Sequence, residues 1–452
     1  MREAILTAPV GEVLYKLTLP MVIGIVAVFF FNLVDTYFIG LLGTQSLAAV
    51  SFTLPVSMIV MNLAIGLGIA ASALVATSIG GNDQRQAQHY VVATLLLAVF
   101  IASVILMLGW QFNDQIFLLL GASEDILPEI WAYMKYWWPG AWMMVLMIVI
   151  NSCMRAVGNT KLPSMMMLYS AILNAVLDPI LIFGLGPIPE MGISGAALAT
   201  TLCWSVVVVI MLVSLARIDL LHWAELQFEE LKSIWKRLVV LGVPAVITNV
   251  LVPVASGFLL AMVAPMGEEA VAAFGVGARI EPFAIVVVLA LTSTIPTFVG
   301  QNFAADSHQR IWAALSVAVK FIVVWQLFIW LLIMFASPWL ALIFTSEEAV
   351  KQGIVEYLTW MPIGYAGMGI VLCANAALNA LQRTGVSMMV NLVRLVLFYI
   401  PFAWLGSELN GYTGLLMGAA AGNVLAGILV WWQIGLAQKQ ERFGVKNPLI
   451  NS

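Results

Sequence analysis

Long apolar runs separated by short polar punctuation make up most of the chain. Twelve runs lie near 14–42, 45–78, 89–111, 127–156, 162–184, 193–216, 237–264, 268–300, 312–336, 350–382, 387–406 and 410–436. Each reaches the roughly 20 residues that a helix needs to cross a bilayer. Several are longer, which predicts tilt or kinks. Pro20, Pro55, Pro139, Pro179, Pro244, Pro282, Pro362 and Pro401 fall in or at the ends of these runs. Membrane helices tolerate them because neighbouring helices satisfy the freed carbonyls. The pattern therefore predicts an all-α integral membrane protein with twelve transmembrane helices, most of it inside the bilayer.

Composition agrees. Of 452 residues, 62% are hydrophobic and only 9% charged, against about 25% charged in a soluble domain. Residues 1–16 are polar and amphipathic with no small-residue cleavage site, so no secretory signal is expected there. Cys153, Cys203 and Cys373 are odd in number and far apart, which suggests neither a disulfide framework nor a metal cluster. His89, His222 and His308 fall in polar connections at no ligand spacing and read as solvated loop residues. With the amino terminus assigned to the cytoplasm, 14 Lys and Arg residues lie on the inner side and two, Lys135 and Lys351, on the outer. That bias places both termini in the cytoplasm. Arg279, Lys320 and Arg394 lie within the runs.

One long polar connection, 217–236, with Glu225, Glu229 and Glu230 in it, divides the runs into two sets of six. The expected organisation is an amino-terminal lobe at 1–216, a cytoplasmic linker at 217–236, a carboxyl-terminal lobe at 237–436 and a cytoplasmic tail at 437–452. A shift of 224 superposes Pro20-Met21-Val22-Ile23 on Pro244-Ala245-Val246-Ile247, and Gly43, Ala48 and Ala49 on Gly267, Ala272 and Ala273. A shift of 220 brings Gly80 and Asn82 onto Gly300 and Asn302. A shift of 223 brings Ser123-Glu124 onto Ser346-Glu347, Trp137 and Pro139 onto Trp360 and Pro362, and Ser164-Met165-Met166 onto Ser387-Met388-Met389. These matches describe a duplicated six-helix unit. Six is even, so both copies share one orientation and are expected to be related by a pseudo-twofold axis along the membrane normal.

The repeat is an internal control. Asp35, in the middle of the first run, maps to Leu259; Asp178 maps to Pro401, Asn174 to Leu397 and Asn151 to Ala374. A charge at that depth costs about 2.5–3.5 kcal/mol, so it marks a site for an ion, a proton or a cationic ligand. Asn32 and Asp35 are i, i+3, and Asn174 and Asp178 are i, i+4, so each pair shares a helix face. Pro179 frees the Ala175 carbonyl. Such a set can hold a proton between two carboxylates or offer hard oxygens to Na⁺. Alternatively, each Asp bonds a backbone group near a helix break. Arg279, Glu281, Lys320 and Arg394 are candidates for gating or ion pairing. Arg279 and Glu281 are two apart and do not share a face, so their partners are expected on other helices. Asn32, Tyr37 and Met167 are candidates for a substrate cavity. No phosphate loop and no catalytic triad is readable.

These residues resemble multidrug and toxic compound extrusion (MATE) transporters. The similarity rests on Leu19-Pro20, Asn32-Leu33-Val34-Asp35-Thr36, Arg155-Ala156-Val157-Gly158-Asn159-Thr160, Asn174 with Asp178-Pro179, Gly192 with Gly195-Ala196-Ala197, and Val299-Gly300-Gln301-Asn302. It covers the whole chain and is nearest to the DinF branch, named for DNA-damage-inducible protein F. The resemblance implies a monomeric antiporter with alternating access. Inward flow of H⁺, or Na⁺, would drive efflux of amphipathic, often cationic compounds across a bacterial inner membrane, with no other cofactor and no nucleic-acid partner. It further implies a coupling site made of Asp35, Asp178, Asn174 and Asn151, with Thr200 as its polar residue from the sixth helix, and a hinge at Pro20. The other large branch carries acids on helices 7 and 10, where this chain has Thr248, Asn249, Asn375 and Asn379. Competing readings are a flippase for a lipid-linked head group, which would want basic residues in its cleft, and a membrane-embedded enzyme, which would want a catalytic constellation.

Overall fold

A computed structural model describes residues 2–222 and 226–442. Glu225, Lys446 and the tail beyond 442 lie outside the described residues. Among the described residues there is helix and turn but no strand. The helices are α1 (Arg2–Thr7), α2 (Val10–Leu41), α3 (Thr44–Gly80), α4 (Gln84–Gln111), α5 (Asn113–Leu119), α6 (Leu127–Ala156), α7 (Lys161–Phe183), α8 (Ile193–Arg217), α9 (Phe228–Val263), α10 (Glu268–Ala284), α11 (Val286–Ala304), α12 (His308–Phe344), α13 (Glu348–Trp360), α14 (Tyr365–Ala380), α15 (Thr384–Val393) and α16 (Ile400–Arg442).

The first seven apolar runs each become one helix, although α9 starts at Phe228, ahead of its run. The eighth breaks at Ile285, shortly after Pro282, into α10 and α11. The tenth breaks at a 3₁₀ turn over Met361–Gly364 that contains Pro362. The last two runs are fused: α15 passes through a π turn, Arg394–Tyr399, into α16. At 43 residues α16 would be about 65 Å long if straight, twice the bilayer core. Asn410 (φ −149°) and Gly411 (φ 55°, ψ −135°) break it into two crossings.

The chain forms two compact units. The first contains Leu19–Val246 together with Arg2; the second contains the chain from Ile247 onward together with Glu3–Thr18. This grouping differs from the expected lobes at 1–216 and 237–436. Residues 3–18 go with the second unit, and the division falls inside α9 rather than in the polar connection. The first core centres on α6, where Met134, Trp138 and Ile150 are buried. In the second unit Ile5, Val13, Leu14 and Leu17 pack with Ile295, Phe298 and Ile311. There Arg310 donates to the carbonyls of Ile5 (3.0 Å) and Ala8 (2.7 Å).

The duplication is written in the backbone. Left-handed residues recur in pairs: Gly43 (φ 112°) with Gly267 (113°), Asn82 (61°) with Asp306 (56°), Gly158 (94°) with Gln382 (61°), and Gly192 (54°) with Gly411 (55°). The first three pairs share the offset of 224. They correct the match at a shift of 220: the counterpart of Asn82 is Asp306, whereas Asn302 is buried inside α11 and donates to Phe298 O (2.9 Å). The histidine expectation also changes. His89 is a buried residue of α4 whose Nδ1 lies 2.6 Å from Glu230 Oε1 at the start of α9. His308 opens α12 and sits 2.9 Å from Asp306, and His222 is exposed.

Candidate functional site

The site grows from α7. Burying a carboxylate in an apolar bundle is tolerable only when polar neighbours meet it. Asp178 is fully buried, and its Oδ1 accepts a 2.9 Å bond from Asn174 Nδ2, one helical turn earlier. The same amide lies 3.4 Å from Thr200 Oγ1 on α8. Two glycines let α8 come close enough. A Cβ on Gly195 would stand 2.5 Å from the Leu181 carbonyl oxygen of α7, and one on Gly140 of α6 would collide with Thr201 Oγ1. Thr201 instead donates to Tyr136 O at 2.9 Å, fixing α8 against α6. Small residues at such contacts are how membrane helices approach without a hydrophobic driving force.

Asp35, half-buried on α2, is near enough to Asp178 for the two charges to interact, and both act on the buried hydroxyl of Tyr133 on α6. Asp35 Oδ1, Asn174 Oδ1 and Asp178 Oδ2 are buried acceptors with no donor in reach. A cluster rich in acceptor oxygens and poor in donors suits a proton or a small hard cation. Beside it, α2 and α7 frame an apolar groove of about 510 Å³ lined by Phe30, Phe31, Val34, Leu168, Ile172 and Ala175, among others.

Asn151 does not join this cluster. It is buried near the end of α6, whereas Asp178 lies deep in α7, and only the turn 157–160 joins the two helices. Counted from that turn at 1.5 Å per residue, their depths differ by about 18 Å. Asn32 and Tyr37 are exposed, and Asn32 spends its amide on Val28 O of its own helix. Met167 packs against Gly24. None of these three lines the groove, whose walls are their neighbours. Pro20 lies inside α2, which runs helical from Val10 to Leu41, just after the division between the compact units.

In the second unit Arg279 and Lys320 are exposed. Glu281 Oε2 accepts from Tyr357 (3.1 Å) and Tyr365 (3.2 Å). Arg394 is buried and interacts with Glu281 electrostatically without forming an ion pair. Of the four candidates, the structure groups only these two. Tyr133, Tyr357 and Tyr365 escaped the sequence reading, since a tyrosine in an aromatic-rich membrane run carries no distinguishing signal.

A sequence model of the family described as MatE matches residues 20–180 and again 244–405, one match for each six-helix set, with the starts at the offset already seen between the copies. The chain belongs to the MatE family. This MatE protein is 38% identical over 97% of its length to the FAD transporter of Shewanella oneidensis, covering 96% of that protein. It is 24% identical over 90% of its length to the multidrug export protein MepA of Staphylococcus aureus, again covering 90%. Its fold matches the crystal structure of the Vibrio cholerae MATE transporter VcmN in the bent form with a TM-score of 0.91 and 32% identity, covering 96% of this chain and 98% of that one. The MatE protein is thus a multi-pass membrane transporter with two six-helix lobes, and not an enzyme.

Proposed function

We propose that the protein is a secondary active efflux antiporter that exchanges inward-moving protons for amphipathic, often cationic compounds. Asp35 is the principal proton carrier, Asp178 its partner, and Asn174 and Thr200 hold Asp178 in place. The observation that carries the reading is the donor-poor oxygen cluster of Asp35, Asn174 and Asp178 beside an apolar groove. With both carboxylates ionised, the cluster attracts a cation whose apolar body lies in the groove. Protonation removes that attraction and releases the cargo. The ligand then has different affinities for two states, without which no coupling is possible. Na⁺ in place of H⁺ would use the same oxygens. Pro20 is the hinge of α2, because its missing N–H leaves one carbonyl of that helix free to change partner. The positive-charge bias supports both termini facing the cytoplasm.

Vesicles with an imposed pH or Na⁺ gradient and a fluorescent cation test this. Wild-type efflux should follow the pH gradient, and Asp35→Asn should reduce it to the gradient-free background. Wild-type rates in Asp35→Asn would refute the assignment. A second reading is favoured by the 38% relationship to a transporter named for FAD. A flavin dinucleotide carries phosphate charge, so it would be tolerated beside the acids only when they are protonated. Including FAD in the same vesicles decides between cargo classes.

A further inference from the structure

The carboxyl-terminal lobe has a chemistry of the opposite sign. Between α12, α14, α15 and the second half of α16 lies a cavity of about 340 Å³, the size of a pocket for a small molecule. Its wall is mostly apolar, with Trp312, Leu315, Leu378 and Phe398 among the contributors, and Arg394 set into it beside the polar His308 and Gln433. Arg394 is 4% exposed, and its Nε and Nη1 have no hydrogen-bond partner. The carboxylate that acts on it is that of Glu281, whose Oε2 is taken by the hydroxyls of Tyr357 and Tyr365. The ring of Tyr399 lies 5.9 Å from the guanidinium carbon and covers it without accepting a conventional bond. A guanidinium presents its donors in a planar fork that matches carboxylate and phosphate oxygens. Left with unpaired donors in the wall of an apolar chamber, it is costly unless an anion meets it.

We propose that this cavity binds a single-chain amphipathic anion, its carboxylate or phosphate monoester on Arg394 and its aliphatic body against the apolar wall. The volume suits one aliphatic chain better than two. Besides Arg394 only His308 and Gln433 are polar in the wall, which favours a largely aliphatic body. Lobe duplication makes the contrast sharper. The amino lobe collects acceptor oxygens around its two acids, whereas this chamber of the carboxyl lobe is served by the unpaired donors of Arg394. The proposal is independent of which ion drives transport.

Purified full-length protein in an uncharged detergent is titrated with dodecanoate, dodecyl phosphate, dodecyltrimethylammonium, dodecanol and phosphatidylglycerol. The two single-chain anions should bind about tenfold or more tighter than dodecanol, the gain expected of a charge-assisted bond. Phosphatidylglycerol should not compete. Arg394→Gln should abolish the preference for the anions while leaving dodecanol binding unchanged, and Arg394→Lys should retain part of it. Equal binding of dodecanoate and dodecanol by the wild type overturns the proposal, as does an undiminished preference in Arg394→Gln. Should Arg394→Gln fail to fold, bromine-labelled dodecanoate reads the site in the native chain. Its quenching should shrink in Trp312→Phe, and quenching that is the same in both proteins refutes the location.

Discussion

At the scale of single residues, the amino-lobe site depends on one amide. Asn174 donates to Asp178 and reaches Thr200, so it orders an acid and a hydroxyl from neighbouring helices. Removing a hydrogen bond to a charged group costs about 1.5–3 kcal/mol. Asn174→Ala should therefore lower gradient-driven efflux about tenfold or more at unchanged protein abundance. Thr200→Val should cost less, about two- to threefold, because the 3.4 Å contact is long. Both are measured in the vesicle assay. Asp35, Asn174 and Asp178 were legible in the sequence because polarity inside an apolar run stands out and the repeat replaces each by an apolar residue. Thr200 was legible only through the family resemblance. For Asn151, position along its own helix says nothing of depth until it is counted from the shared turn at 157–160. Tyr133 was invisible because its hydroxyl gains meaning only from α2 and α7.

At the scale of elements, close approach of α6, α7 and α8 decides whether the site exists. Gly195 touches the α7 backbone so closely that no side chain fits without moving a helix. Gly195→Leu should destabilise the fold by about 1–3 kcal/mol, the cost of overpacking, read as a lower thermal midpoint in detergent. Efflux should fall with it, since the displaced α8 carries Thr200. The existence of the helices was plain from run length alone, because a bilayer demands about 20 apolar residues of each. Their interruptions were not. Ile285 and the π turn at Arg394–Tyr399 follow from local packing and proline geometry that hydropathy does not record. The break at Asn410–Gly411 was legible as a polar gap between the last two runs, although the chain there remains nearly continuous helix.

At the scale of the molecule, two copies of one backbone have taken on different chemistry. Leu259, the counterpart of Asp35, is fully buried among Phe274, Tyr357 and Leu415. Leu259→Asp should destabilise by about 2.5–3.5 kcal/mol and lower the yield of folded protein, without creating a second coupling site, since no counterpart of Asp178 awaits it. Orientation is checked by single exposed cysteines, as the native three are buried. An impermeant maleimide added to intact cells should label Ser123→Cys and spare Gln84→Cys.

The bonds from Arg310 to the carbonyls of Ile5 and Ala8 have a practical consequence. Residues 3–18 are built into the carboxyl-terminal lobe like a plug in a socket. A fluorescent reporter or affinity handle fused directly before them would tug on that seat each time the detector or the resin pulled.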